Sequence, residues 1–227
     1  GGHGARHSGA AGRPGCADRL DSMEDIIQAI AVYAIPVLFA ITVHEAAHGY
    51  VARMFGDNTA YVLGRVTLNP VKHIDPLGTI VIPLGMVLLT GFMFGWAKPV
   101  PVDWGSLRKP KRDMIWVAAA GPGVNLAMAV VWALLYRVLS AVGVQENYFY
   151  LVAQAGISVN LVFMALNLLP IPPLDGGRIV SGLLPVRMSI AYSRIEPYGL
   201  FILLALMFTG SLSFFLRPLH DIGAAIV

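Results

Sequence analysis

His44-Glu45-Ala46-Ala47-His48 puts two imidazoles and a carboxylate within five residues of an apolar run. On a helix, residues four apart share a face with Cβ atoms about 5–6 Å apart. That spacing lets both rings reach one zinc ion at about 2.0–2.1 Å. Glu45 projects beside the pair, where it can take a proton from a water activated by the metal. A polar contact between helices would also use such histidines, but two His and a Glu at membrane depth are costly without a strong partner. Catalytic zinc usually has three protein ligands and a water, so the segment needs one more donor. The chain has a single cysteine, Cys16, which excludes a thiolate cluster and an intrachain disulfide. Asp, Glu or His must complete the set. Asp175 is the best placed: it follows Asn167-Leu168-Leu169-Pro170-Ile171-Pro172-Pro173-Leu174 and precedes Gly176-Gly177-Arg178. A rigid Pro-rich turn there would hold one carboxylate at a fixed depth. Taken by itself, a helix-capping Asp before Gly-Gly is the simpler account of Asp175.

The elements that must position these groups are membrane spans. Of 227 residues, 56% are apolar and only 13% charged, against about 25% charged in a soluble domain; mean hydropathy is +0.68. So much apolar surface calls for lipid. Runs of spanning length cover Ile26–Ala52, Met114–Leu139, Phe149–Leu169 and Pro197–Leu216. A fifth, Leu77–Trp96, is broken by Gly78, Pro83, Gly85, Gly91 and Gly95, which suits a re-entrant path better than a straight helix. Tyr61–Leu68 carries strand-type residues and reads as a short extended element. The expected fold is therefore an all-α polytopic membrane protein of about four spanning helices, with one re-entrant segment and one short β-like element. Residues 1–22, rich in Gly, Ala and Arg and without an apolar stretch, read as a disordered leader or added tail. His3 and His7 in that tail are weak metal candidates at most. Residues 23–227 form one transmembrane domain. Arg108, Lys109, Lys111 and Arg112 before one span, and Arg178, Arg187 and Arg194 after another, put residues 98–112 and 171–195 in the cytoplasm. The N-terminus and the loop at 140–148 then lie outside.

Three separated motifs in register resemble the site-2 protease family of intramembrane zinc metalloproteases: His44–His48 in the first span, Ala120-Gly121-Pro122-Gly123-Val124-Asn125 in the next, and Asn167–Arg178. Phe94–Val102 and the stretch from Leu68-Asn69-Pro70 to Pro76-Leu77-Gly78 are similar to the family's compact bacterial members, without a PDZ-like or nucleotide-binding insert. The resemblance spans roughly residues 30–185. It implies one zinc per chain held by His44, His48 and Asp175, with Glu45 as general base. It also implies a bacterial cytoplasmic membrane, an active site opening toward the cytoplasm, single-span membrane proteins as substrates, and no nucleic-acid partner. For Asp175 to share a metal with the first span, the chain must cross the membrane an even number of times between them. Leu77–Trp96 should then dip in and return.

Further residues are candidates for the same chemistry. Asn125 stands at the family's asparagine position, where it would contact a substrate carbonyl or the developing oxyanion; holding helices together is its simpler role. Asn160 and Asn167 lie seven apart, on one helical face, and would bind substrate backbone or pack between helices. His73 beside Asp75 would guard the zinc cavity or serve a loop. Arg178 would orient Asp175 or extend to the interface. An unwound substrate strand would pair with the extended edge at Tyr61–Leu68. Two other classes of function fit parts of the pattern: an intramembrane zinc or cation carrier, and a metal-free adaptor for membrane helices. Retained zinc with abolished hydrolysis in Glu45→Ala separates the protease from the carrier, and metal content separates both from the adaptor.

Overall fold

The computed structural model describes residues 16–81, 85 and 98–212. Its framework is a long first helix, α1 (Cys16–Met54), packed against α3 (Pro110–Val142) and α4 (Asn147–Asn167). A short helix, α2 (Thr59–Val62), follows α1. Beyond α4 come α5 (Asp175–Leu183), α6 (Val186–Ser193) and α7 (Gly199–Phe208). Among the described residues, four helical stretches have the length and composition to cross a membrane: Ile27–Met54, Pro110–Val142, Asn147–Asn167 and Val186–Phe208. A helix satisfies every interior backbone donor and acceptor within itself, which is the condition lipid imposes. The outward faces are apolar as lipid requires: Ile27, Ile30, Phe39, Val131, Leu134 and Val138 are all exposed.

Local signals set the helix ends. Pro110 stands in the first turn of α3, where its missing N–H costs nothing, and Asp113 accepts the Lys109 N–H at 2.7 Å. Gly143, at φ 75°, closes α3 in the left-handed conformation, and both its own N–H and that of Val144 return to the Leu139 carbonyl. Between α3 and α4 the core is Ala129, Ile157 and Leu161 beneath Trp132. At the other end Ala52, Leu107, Met114 and Val117 join α1 to α3.

Hydrogen bonds fix the direction of packing. Phe55, just past α1, accepts the Arg108 N–H at 2.9 Å, and at the far end the Tyr148 hydroxyl donates to Ala31 at 3.1 Å. The described ends of the connection from 55 to 109 therefore lie together, at the end of α1 where α3 begins. Of the expected re-entrant Leu77–Trp96, only the first residues and Gly85 are described: Pro76–Val81 form a π-helical turn, with Asp75 Oδ1 accepting the Leu77 and Gly78 N–H groups. The rest lies outside the described residues.

Three expectations change. Tyr61–Leu68 is not extended, and no strand occurs among the described residues. Asp57 accepts the Thr59 N–H at 2.8 Å and so starts a helical turn. Gly64, at φ 62°, then reverses the chain, and this local capping outweighs the β-propensity of Tyr61 and Val62. Helix α1 begins at Cys16, inside the stretch assigned to the leader; no Gly or Pro interrupts the chain from there to Pro36. The last spanning stretch starts at Val186 rather than Pro197, because a 3₁₀ turn at Glu196–Tyr198 carries the proline in its first turn and joins α6 to α7.

Candidate metal centre

His44 and His48 lie on the inner face of α1, both buried. Helix α3 runs antiparallel across them and offers each ring an acceptor. His44 Nδ1 lies 2.5 Å from Asn125 Oδ1, and His48 Nδ1 lies 2.7 Å from the Val117 carbonyl. Those oxygens can only accept, so both Nδ1 atoms carry a proton, and in the neutral imidazoles both Nε2 atoms present lone pairs. The Nε2 atoms stand 3.1 Å apart, too close for two lone pairs with no proton between them.

Asp175, in the first turn of α5, closes the site. Its Oδ2 is buried and lies 3.2 Å from His44 Nε2 and 3.3 Å from His48 Nε2, with no other hydrogen-bond partner. With both rings neutral, three electron-rich atoms converge here, which is unfavourable unless a cation lies between them. Ligands placed tetrahedrally around zinc at about 2.0–2.1 Å stand about 3.3–3.4 Å apart, and the three separations here are 3.1, 3.2 and 3.3 Å. The residues fit a zinc ion. Gly176 and Gly177 let the turn fold this tightly, since a Cβ on either would strike the backbone of Leu168–Pro172.

Gly121 of α3 had no assigned role in the sequence motif. A Cβ there would stand 2.5 Å from His44 Cε1, 2.5 Å from His48 Nε2 and 2.6 Å from His44 Nε2. Glycine is what lets α3 cross over both imidazoles.

Glu45 sits beside the trio, half-buried, and its Oε2 accepts the Val100 N–H at 2.7 Å. Val100 belongs to a segment without regular structure, 98–103, that is tied down along its length. Lys98 N–H donates to His73 O at 2.9 Å, Arg65 donates to the Lys98 and Pro99 carbonyls, and Asp57 Oδ2 accepts the Asp103 N–H at 2.8 Å. Pro99 and Pro101 have no N–H, which leaves Val100 as the single backbone donor in the middle of the strap. The exposed Asp103 carboxyl is held below its usual range by the Ser106 hydroxyl and the Gly105 N–H. Asp57 was not foreseen as a functional position; a buried Asp two residues before a helical turn is the signal that marks it.

The secondary candidates take different places. Asn125 is fully buried and spends both amide hydrogens, on Asn160 Oδ1 at 2.9 Å and on Ala40 O at 3.3 Å. No donor remains for a substrate or an oxyanion; its contact is with the back of His44. Asn160 is fully buried as well and donates to Gly156 O at 2.8 Å, while Asn167 donates to Phe163 O at 3.0 Å on its own helix. His73 is buried and its ring meets Thr67 O at 3.0 Å. It holds the loop beneath the strap and is not one of the three converging residues. Arg178 pairs with Glu196 at 2.6 Å rather than with Asp175.

Membrane-length helices carrying a buried His-Glu-x-x-His pair and a third carboxylate define a metal-dependent membrane hydrolase. The pattern of Peptidase family M50 matches residues 32–157 and 143–210. The chain is 39% identical over 198 residues to "Putative zinc metalloprotease YwhC" of Bacillus subtilis (strain 168), covering 83% of this chain and 85% of that one. It is 29% identical to "Putative zinc metalloprotease Rip2" of Mycolicibacterium smegmatis, over 181 residues, covering 78% of this chain and 66% of the relative. Rip2 of Mycobacterium tuberculosis (strain H37Rv) matches at 29% over 180 residues, with the same coverage. No solved structure matches the chain. The chain belongs to peptidase family M50 and is a zinc metalloprotease of the membrane.

Proposed function

We propose that the chain is an intramembrane endopeptidase that cuts single-span membrane proteins, with His44, His48 and Asp175 holding one zinc ion and Glu45 as general base. The observation that carries the ligand set is the convergence of His44 Nε2, His48 Nε2 and the buried Asp175 Oδ2. Zinc, when bound, supplies Lewis acidity that makes water a nucleophile near neutral pH and polarises a carbonyl. Asn125 and the Val117 carbonyl hold the two imidazoles in the tautomer that binds metal. Glu45 takes the water's proton and later delivers one to the leaving amine. Its Oε2 is fixed by the Val100 N–H, so Oε1 is the oxygen left to face the water.

A substrate helix hides its carbonyls in i→i−4 hydrogen bonds and must unwind before it is cut. The basic residues at Arg108–Arg112 and Arg178–Arg194 favour a site open to the cytoplasm of a bacterial inner membrane.

The test is a single-span peptide in liposomes with the purified full chain and its Glu45→Ala variant, zinc being measured on the same preparations. Wild type should cleave, and Glu45→Ala should keep one zinc per chain and lose cleavage. Full cleavage by Glu45→Ala sinks the mechanism.

A further inference from the structure

Between His44 and the middle of α4 runs a chain of buried amides whose direction is set from its far end. Asn160 Nδ2 donates to the Gly156 carbonyl at 2.8 Å. A backbone carbonyl cannot exchange roles, so the Asn160 amide has one orientation, with Oδ1 pointing toward α3. That oxygen accepts Asn125 Nδ2 at 2.9 Å. The Ala40 carbonyl of α1 accepts from the same Nδ2 at 3.3 Å, so two independent acceptors fix the Asn125 amide. Asn125 Oδ1 is then turned to His44 Nδ1 at 2.5 Å and requires a proton there. Both asparagines are fully buried, so water cannot substitute for either partner, and a broken link leaves an unpaired polar group in a dry site.

We propose that Asn160 is a positioning residue for the metal centre, acting through Asn125 to hold His44 as its Nδ1–H tautomer with Nε2 free for metal. His48 has no need of such a chain, because the Val117 carbonyl reaches its Nδ1 directly. His44 lies where α3 offers a side chain instead of a carbonyl, and an isolated asparagine there has two amide orientations. One accepts from Nδ1–H. The other presents NH2 and favours the tautomer that cannot bind metal through Nε2. Asn160 opposes the second, supplying the shorter of the two bonds that hold the amide, 2.9 Å against 3.3 Å to the Ala40 carbonyl. Its place in the middle of α4 is thereby explained without any contact with substrate.

The proposal rests on the zinc reading of His44, and the test separates the two. The purified full chain and three variants are compared: Asn160→Leu, which is close in shape but lacks the amide; Asn160→Asp, whose carboxyl, kept neutral by burial, retains an acceptor for Asn125 and a donor for Gly156; and Asn167→Leu, one residue set further along the same face. Tautomers are read by 15N-histidine NMR on the metal-free chain, at an alkaline pH where the His44 ring gives the neutral-imidazole 15N pattern, with His44 assigned by its loss in His44→Ala. Zinc affinity is read by chelator competition.

Wild type, Asn160→Asp and Asn167→Leu should show His44 in the Nδ1–H form. Asn160→Leu should populate the Nε2–H form and bind zinc about 10–100-fold more weakly. An unchanged tautomer together with zinc affinity within about twofold of wild type in Asn160→Leu overturns the proposal. If Asn160→Leu does not fold, failure of Asn160→Asp to keep the Nδ1–H form overturns it equally. A wild-type chain that binds no zinc while its His44 tautomer still depends on Asn160 would fault the zinc reading and leave the amide relay standing.

Discussion

Replacing Gly121 with Ala adds one carbon and tests whether the two imidazoles are where the structure puts them. The new Cβ would lie 2.5–2.6 Å from three ring atoms of His44 and His48. Carbon contacts settle at about 3.5–4.0 Å, so the rings or α3 must retreat by about 1 Å. Metal–ligand distances tolerate about 0.2 Å, and displaced or misoriented ligands lose about 10–100-fold in affinity, or about 1.4–2.8 kcal/mol. The helix itself gains from the change, since Ala is favoured over Gly in a helix interior by about 0.5–1 kcal/mol. A weakened helix therefore cannot account for lost metal. Gly123→Ala is the control, because its Cβ would meet nothing within 4 Å. Chelator competition on the purified chains should show zinc affinity falling at least tenfold in Gly121→Ala and holding in Gly123→Ala. Wild-type zinc affinity in Gly121→Ala would refute the geometry of the site.

Val100→Pro deletes one N–H between two existing prolines. Losing a hydrogen bond to a charged group, worth about 1.5–3 kcal/mol, should slow kcat tenfold or more without changing bound zinc, whereas Val100→Ala should behave as wild type in the same liposome assay. Asp57→Ala strands the N–H groups of Thr59 and Asp103; the segments around 57–64 and 98–106 should become sensitive to limited proteolysis while α3 and α4 stay protected. Removing zinc with a strong chelator should abolish cleavage, and one equivalent of zinc should restore it; activity that persists without metal would count against the family's chemistry operating here.

Much of this site follows from sequence spacing, and the exceptions have physical causes. His44, Glu45 and His48 are legible because helical periodicity alone brings them together. Asp175 needed the family resemblance, since a carboxylate before Gly-Gly is by itself an ordinary cap. The crossing count between Asp175 and the first span turns on Leu77–Trp96, most of which lies outside the described residues. Gly121 was hidden because its importance lies in what it omits beside two rings on another helix. For Asn125 and Asn160 the sequence leaves substrate contact and helix packing both open, because it gives the depth of a polar residue in a span but not which way it faces; in the fold their amide hydrogens go to Asn160, Ala40 and Gly156. Tyr61–Leu68 was misread because β-branched composition was weighed over the buried Asp57 that caps the turn before it.

X-ray absorption at the zinc edge of the purified chain addresses the central claim most directly. One zinc per chain should show only nitrogen and oxygen neighbours at about 2.0–2.2 Å, with the outer-shell signature of two imidazoles. His48→Ala should lose one imidazole or the metal, and Asp175→Ala should lose the metal or keep it only weakly. A wild-type chain without zinc, or a zinc whose neighbours are unchanged when His48 and Asp175 are replaced, would contradict the account.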